Sequence, residues 1–232
     1  MPRIDLYRNV HMGQRARLFA LAVDVGAADI APPGAAAHLA DRCLAMTREL
    51  REHADHEDTF IHQLLRERAP EAADVLDAEH VRLDAAFAGL DERARELPAA
   101  DAEALPDAQH ALYLALNEVI SAYLAHLHAE ETVAMPALWQ YAAEQELAAV
   151  FAAFRASRTP EQGLADLRRM LPALPPAVRA AIVRGVLEAG PQDQAGTTLA
   201  ALSTTLSPDQ RARLHDDLGV PEAWAVTATS GV

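Results

Sequence analysis

The sequence has little of what many binding and catalytic classes require. Its single cysteine, Cys43, excludes an internal disulfide and lies on an apolar stripe, as a small core residue does. No apolar stretch approaches the roughly 20 residues that a membrane-spanning helix needs. The formal net charge of -14 argues against a nucleic-acid partner, because phosphate binding needs clustered Lys and Arg. We therefore expect a cytoplasmic protein without a membrane or nucleic-acid partner.

Motifs for nucleophilic catalysis and phosphate binding are also missing. The sequence has no GxSxG, no cysteine beside a histidine and no glycine-rich phosphate loop. Glycine is sparse and aromatic residues make up only 5%, whereas alanine is abundant, which favours helix. With 51% hydrophobic residues, the chain can form one large domain, residues 1–155, and a small helical region, residues 156–232.

Prolines separate the predicted helices. The four long helices run from about Leu6 to Ala28, from after Gly34 to Arg68, from Pro70 to Leu97, and from Pro106 to Thr132, with Pro136 at an end or kink. Capping boxes after Thr159 and Ser207, and a start at Pro175 and Pro176, predict about three short helices between Arg158 and Leu218. The tail from Pro221 to Val232 is expected to be loose.

Apolar residues recur at alternating spacings of four and three along the later long helices. The stripe of the second helix ends with His53, Glu57, Phe60 and Leu64, and that of the fourth helix ends with His126, Glu130 and Val133. Short links make sequential helices antiparallel. The predicted fold is therefore all-α, an up-down-up-down four-helix bundle with a small C-terminal helical extension.

Six potential metal ligands lie on these apolar stripes, where imidazoles and carboxylates are normally excluded unless something pairs with them. They are His11, His53, Glu57, His80, His126 and Glu130. At about 1.5 Å per residue, their heights along the bundle axis agree within roughly 5 Å across each hairpin. A pair of metal ions inside the bundle would explain all six, and a buried hydrogen-bond network without metal is the alternative.

The spacing within the helices supports the same interpretation. Each His-x-x-x-Glu pair stacks a histidine and a carboxylate one turn apart on one helix face. Glutamates offset the repulsion between two ions, and imidazole suits iron, zinc and copper. His56 and Asp84 are candidates for additional ligands or supporting residues. Asp58 and Glu131 are expected at the rim or behind a ligand imidazole, and His62 at the bundle end.

The ordered motifs resemble those of the hemerythrin-like (HHE cation-binding) family over about Met1 to Phe154. They are a lone histidine in the first helix, His53-Ala-Asp-His56-Glu57-Asp58, Glu79-His80, and His126-Leu-His128-Ala-Glu130-Glu131. The resemblance implies two iron ions with an oxo or hydroxo bridge and carboxylates from the second and fourth helices. In the family's oxygen carriers the third helix supplies two histidines four residues apart, whereas here Asp84 follows His80.

Three functions remain open from the sequence. The favoured hypothesis is a non-enzymatic di-iron protein that binds or senses oxygen, nitric oxide, or the iron or redox state. The second is a di-iron peroxidase or oxidase. The third is a metal-sensing interaction protein that uses its C-terminal helices for a protein partner or a homodimer.

Overall fold

A computed structural model describes residues 3–220 of the chain. The regular structure within this range is helical and includes no strand, which confirms the predicted all-α class. None of the helices in these residues is long and apolar enough to cross a membrane. One compact unit contains the described residues up to Arg8 together with Arg15–Phe154. The other contains Asn9–Gln14 together with the described residues from Arg155 onward.

The first unit consists of long helices, two of which continue through a π-helical turn. The elements are α1 (Arg8–Ala27), α2 (Ala35–His56), a π turn (Glu57–Ile61), α3 (His62–Arg68), α4 (Pro70–Glu96), a 3₁₀ turn (Leu97–Ala99), α5 (Leu105–Ala129), a second π turn (Glu130–Ala134), α6 (Met135–Tyr141) and α7 (Glu144–Ser157). Asn9–Gln14 of α1 and the last residues of α7 belong to the second unit.

The helix boundaries follow local backbone chemistry. Gly34 precedes α2 with φ of +84°, a conformation that glycine adopts without the steric cost of a side chain. Pro70 is the first residue of α4, where a missing N–H removes no helical hydrogen bond. Pro136 likewise lies in the first turn of α6. The helical run that begins at α5 therefore continues to Tyr141 rather than ending at this proline.

The two π turns shift the register of the buried face. The backbone N–H of His62 bonds the carbonyl of Glu57, and that of Met135 bonds the carbonyl of Glu130, so each bond spans five residues. The predicted stripes assumed uninterrupted α-helices. As a result Val133, expected inside, is 46% exposed, and Phe60 is only half-buried. The extra residue in each turn brings His62 and Met135 to the interior instead.

Two apolar clusters fill the first unit on either side of a polar layer. The larger cluster combines α1, α2, α4 and α5 and includes Leu18, Leu50, Leu83 and Leu127. The smaller cluster combines α3, α4 and α6 with the N-terminal segment, including Tyr7, Leu65, Leu76 and Met135. Along α4, His80 lies between Leu76 of one cluster and Leu83 of the other. The predicted metal ligands of this unit thus lie between two dry regions.

The second unit has its own apolar core. Its elements are α8 (Pro160–Met170), a 3₁₀ turn (Leu171–Ala173), α9 (Pro176–Ala189), a 3₁₀ turn (Gln192–Gln194), α10 (Ala195–Ser203) and α11 (Pro208–Leu218). Both predicted capping boxes are confirmed, at Thr159 and Ser207. The sequence predicted about three helices because α10 carries neither a capping side chain nor a proline at its start. The predicted loose tail, Pro221 to Val232, lies outside the described residues.

A glycine allows the α1 segment of the second unit to approach α8 closely. A Cβ atom on Gly13 would lie 2.9 Å from the Cα of Met170, closer than real Cβ contacts. Met12 also packs against the apolar cluster formed by the C-terminal helices. The hydrophobic core of the second unit therefore includes part of the first helix of the chain.

Candidate metal centre

The two His-x-x-x-Glu motifs have the same local structure. Each histidine lies in the last turn of a long α-helix, and each glutamate is the first residue of a π turn. π turns inside α-helices occur frequently at functional sites. The Glu57 side chain is only 2% exposed and the Glu130 side chain is fully buried. The two motifs therefore carry acidic groups into the interior at equivalent positions.

One group of potential ligands combines both motifs with α4. Glu57, His80, His126 and Glu130 each offer a ligand atom, and these atoms all lie within 4.8 Å of one another. His80 Nε2 and His126 Nε2 are 3.1 Å apart. Two nitrogens bound at right angles to one ion, each at about 2.0–2.1 Å, would be about 3 Å apart. The spacing of these imidazoles fits a shared ion.

A second group includes His53 and Glu57, which lie one turn apart in the same helical run. His53 Nε2 lies 2.8 Å from Glu57 Oε1. His11, on α1, is fully buried. Glu57 thus belongs to both groups, which is the position required of a carboxylate that bridges two ions.

A third group contains Asp58, His62 and His80. His62 is fully buried. Its ring stacks on that of His80, with centroids 5.3 Å apart. Asp58 is 44% exposed at its side chain and lies at the edge of the site. Asp58 and His62 add two potential ligands to the set expected from the stripes.

Carboxylates orient the imidazoles through contacts to Nδ1, on the side of each ring away from Nε2. His126 Nδ1 donates to Glu79 Oε2 at 3.0 Å, and His62 Nδ1 donates to Asp58 Oδ1 at 2.9 Å. His80 Nδ1 lies 3.5 Å from the second oxygen of Asp58. In a neutral imidazole, a carboxylate that accepts from Nδ1 selects the tautomer whose Nε2 carries no proton, and such pairs fix metal-binding histidines in orientation and tautomer. The expected supporting role of Asp58 therefore has a geometric basis.

The interior of the site strongly disfavours negative charge when no cation is present. Burial raises the pKa of Glu130 well above its ordinary value, and the neighbouring Glu57 raises it further. Burial together with the same two carboxylates raises the pKa values of Tyr7 and Tyr123. Asp58 shows the opposite shift, because the hydrogen bond from His62 lowers its pKa. Two adjacent buried carboxylates with several imidazoles form a donor set that fits divalent or trivalent transition-metal ions.

The other sequence candidates lie outside the three groups. The His56 ring packs edge-on against Phe154, with centroids 5.4 Å apart, and also lies near Phe60. Asp84 is exposed on α4. Arg15 Nη1 lies 2.6 Å from Glu131 Oε1, so Glu131 forms a partly exposed ion pair at the rim of the site.

His62 is the residue that sequence reasoning placed incorrectly, at the bundle end. Its position five residues after Glu57 does not fit the spacings of three and four that define an α-helical face. Only the π turn makes that spacing an inward one. The one available sequence signal was Asp58, which lies four residues before His62 and can orient its imidazole.

The sequence comparisons identify the family. Residues 3–138, more than half of the chain, match the model of the hemerythrin HHE cation binding domain. No curated protein and no solved structure matches the chain. The matched region includes every residue of the three ligand groups. The chain belongs to the family of hemerythrin HHE cation-binding domains, and a cation-binding role follows from that membership.

Proposed function

We propose that this chain is a non-haem di-iron protein that binds or senses a small diatomic ligand, oxygen or nitric oxide, or reports on iron or redox state. The observation that carries the proposal is the membership of Glu57 in two ligand groups. One carboxylate that faces two sets of donors is what two adjacent ions require. The proposed scaffold is an up-down-up-down four-helix bundle within residues 1–155, with residues 156–232 as a separate helical region.

Each side chain has a proposed role. His80, His126 and Glu130 would hold one iron, His11 and His53 would hold the other, and Glu57 would serve both ions of a proposed oxo- or hydroxo-bridged pair. The buried glutamates offset the charge of the ions, and the ions remove the cost of burying the glutamates. His56 and Asp84 are proposed to lie outside the ligand set, because neither belongs to a ligand group.

Two iron ions supply redox electrons and an exchangeable coordination position for a diatomic ligand. The protein supplies the surroundings. The apolar clusters on both sides of the polar layer exclude bulk water and limit access to small molecules. Glu79 and Asp58 hold the imidazoles of His126 and His80 with Nε2 directed inward. These features favour reversible binding or sensing over turnover of a large substrate.

Metal analysis and spectroscopy of the full chain test the proposal. Protein reconstituted with ferrous iron without oxygen should hold about two irons per chain. Oxygen or nitric oxide should then change its optical spectrum, with bands of an oxo-bridged pair after oxidation. A Glu57→Gln variant should lose both irons. A Glu118→Gln variant, which changes an exposed glutamate of α5, should bind iron like the unmodified protein.

Two results would contradict the proposal. One is a full chain that binds no iron or only one equivalent. The other is a two-iron protein whose spectrum does not respond to oxygen, nitric oxide or a change in redox potential. Steady consumption of hydrogen peroxide that disappears in the Glu57→Gln variant would instead support the peroxidase hypothesis.

A further inference from the structure

His62 has the structural features of a metal ligand although it stands outside the His-x-x-x-Glu motifs. Its side chain is fully buried. Within the described residues, Nε2 has no hydrogen-bond partner. The nearest acidic atom is Glu130 Oε1 at 3.8 Å, which is too long for a hydrogen bond. A buried imidazole nitrogen therefore points toward a carboxylate of the centre without bonding it.

The environment of His62 matches that of His126, a histidine of the family motif. Both imidazoles donate from Nδ1 to a carboxylate, at 2.9 Å for His62 and 3.0 Å for His126. Both direct Nε2 toward the same oxygen of Glu130, which lies 3.4 Å from His126 Nε2. A fixed tautomer with Nε2 directed toward the centre is the form in which a histidine binds a metal.

We infer that His62 is a further ligand of the iron that His80, His126 and Glu130 would hold. This inference rests on the proposed function. The π turn that begins at Glu57 makes the coordination sterically accessible, because it turns the fifth following residue toward the interior. Asp58 lies behind both His62 and His80 and orients the two imidazoles together.

This assignment differs from a third, separate ion held by Asp58, His62 and His80. In the separate-site arrangement the third ion would need His80 as a ligand, yet His80 Nε2 lies 3.1 Å from His126 Nε2, in the first group. His62 Nδ1 already donates a hydrogen bond to Asp58 Oδ1, and this bond would have to break before the two atoms could bind an ion of their own.

Metal titration of a His62→Gln variant tests the inference. One ion should bind with unchanged affinity, and the other should bind at least about tenfold more weakly, because even the loss of a supporting partner costs about 10–100-fold. The matched control is His56→Gln, which changes a half-buried histidine of the same helical run. That control should bind both ions as the unmodified chain does.

A second measurement does not require a change in the core. The cobalt(II)-loaded protein should show paramagnetically shifted N–H proton resonances, one for each ligating imidazole with a protonated nitrogen. The test variant is Asp58→Asn, which changes the partly exposed carboxylate that lies behind both His62 and His80. Two of these resonances, from His62 and His80, should then move. If His62 is not a ligand, only the His80 resonance moves.

The outcomes are distinct. Unchanged binding of both ions by His62→Gln, or movement of a single resonance in Asp58→Asn, overturns the assignment and leaves the proposed function intact. Three ions in the unmodified chain and two in His62→Gln would show a separate site and also overturn it. An unmodified chain that binds no metal contradicts both the assignment and the proposed function.

Discussion

The helical runs that carry the two His-x-x-x-Glu motifs are alike up to the glutamate and differ after it. Both enter a π turn at the glutamate, and both bury the residue five positions later. In the first run that residue is His62, held by Asp58. In the second run it is Met135, whose sulfur accepts a hydrogen bond from the Leu6 amide at 3.4 Å. The same π turn therefore buries an imidazole, a potential metal ligand, in one run and an apolar side chain in the other.

This difference separates the effect of backbone geometry from that of residue identity. The π turn determines which position faces the interior, and the side chain at that position determines whether it contributes a ligand or packing. The residue after each glutamate differs in a corresponding way, because Asp58 supports a histidine whereas Glu131 pairs with Arg15. Substitutions in each run can test how far this distinction holds.

The largest expected effect concerns the buried acid of the second run. Because the folded-state pKa of Glu130 is raised, the folded metal-free protein binds more protons than the unfolded chain above the ordinary value of 4.5. Its free energy of unfolding should therefore decrease as pH rises from 4.5 through the folded-state pKa. Urea denaturation between pH 5 and pH 8 measures this slope.

A Glu130→Gln variant should lose most of that slope, because it cannot ionise at this position. Glu131→Gln, which changes the partly exposed partner of Arg15, should keep it. If the metal-free Glu130→Gln protein retained the full slope, the electrostatic cost would lie elsewhere in the site.

The next effect concerns packing. Met135 is 1% exposed and belongs to the smaller apolar cluster. Met135→Ala should destabilise the metal-free protein by about 2–5 kcal/mol through lost burial and a residual cavity. Its metal affinity should stay unchanged, in contrast to that of His62→Gln. Val133→Ala, in the π turn that precedes Met135, is the control, and its free energy of unfolding should change by no more than about 0.5 kcal/mol because Val133 is 46% exposed. Reduced metal affinity in Met135→Ala would mean that both positions support the centre.

A smaller effect is expected behind His126. Glu79→Gln keeps the size of the side chain but weakens the acceptor of the His126 Nδ1 proton. Affinity for one ion should fall about 10–100-fold, which corresponds to about 1.4–2.8 kcal/mol. Calorimetric metal titration measures the change, and Glu92→Gln on the exposed face of α4 is the control. Equal affinities would indicate that packing alone holds the His126 ring.

The sequence predicted the features of the fold that depend on local chemistry. Prolines and capping residues located the helix starts at Pro70, Thr159 and Ser207. Helical spacing identified the pairs His53 with Glu57 and His126 with Glu130, in which both glutamates and His126 are buried and His53 is partly buried. The π turns were not predictable in this way, because a five-residue hydrogen bond leaves no periodic signal in a segment this short. Some residues within and just after the turns were consequently misplaced, because Val133 was expected in the interior and His62 at the bundle end, whereas Leu64 is buried as predicted.

The smallest effect tests the rim of the second run. Arg15 and Glu131 are each more than a quarter exposed at their side chains, so solvent screens their ion pair. A double-mutant cycle with Arg15→Ala and Glu131→Ala should give a coupling free energy of about 0.2–1 kcal/mol that decreases in high salt. The same Glu131→Ala variant should bind metal normally, because Glu131 belongs to none of the ligand groups and forms its ion pair with Arg15. A tenfold loss of metal affinity in this variant would make Glu131 the functional counterpart of Asp58. The two runs would then differ only in the residue that follows the π turn.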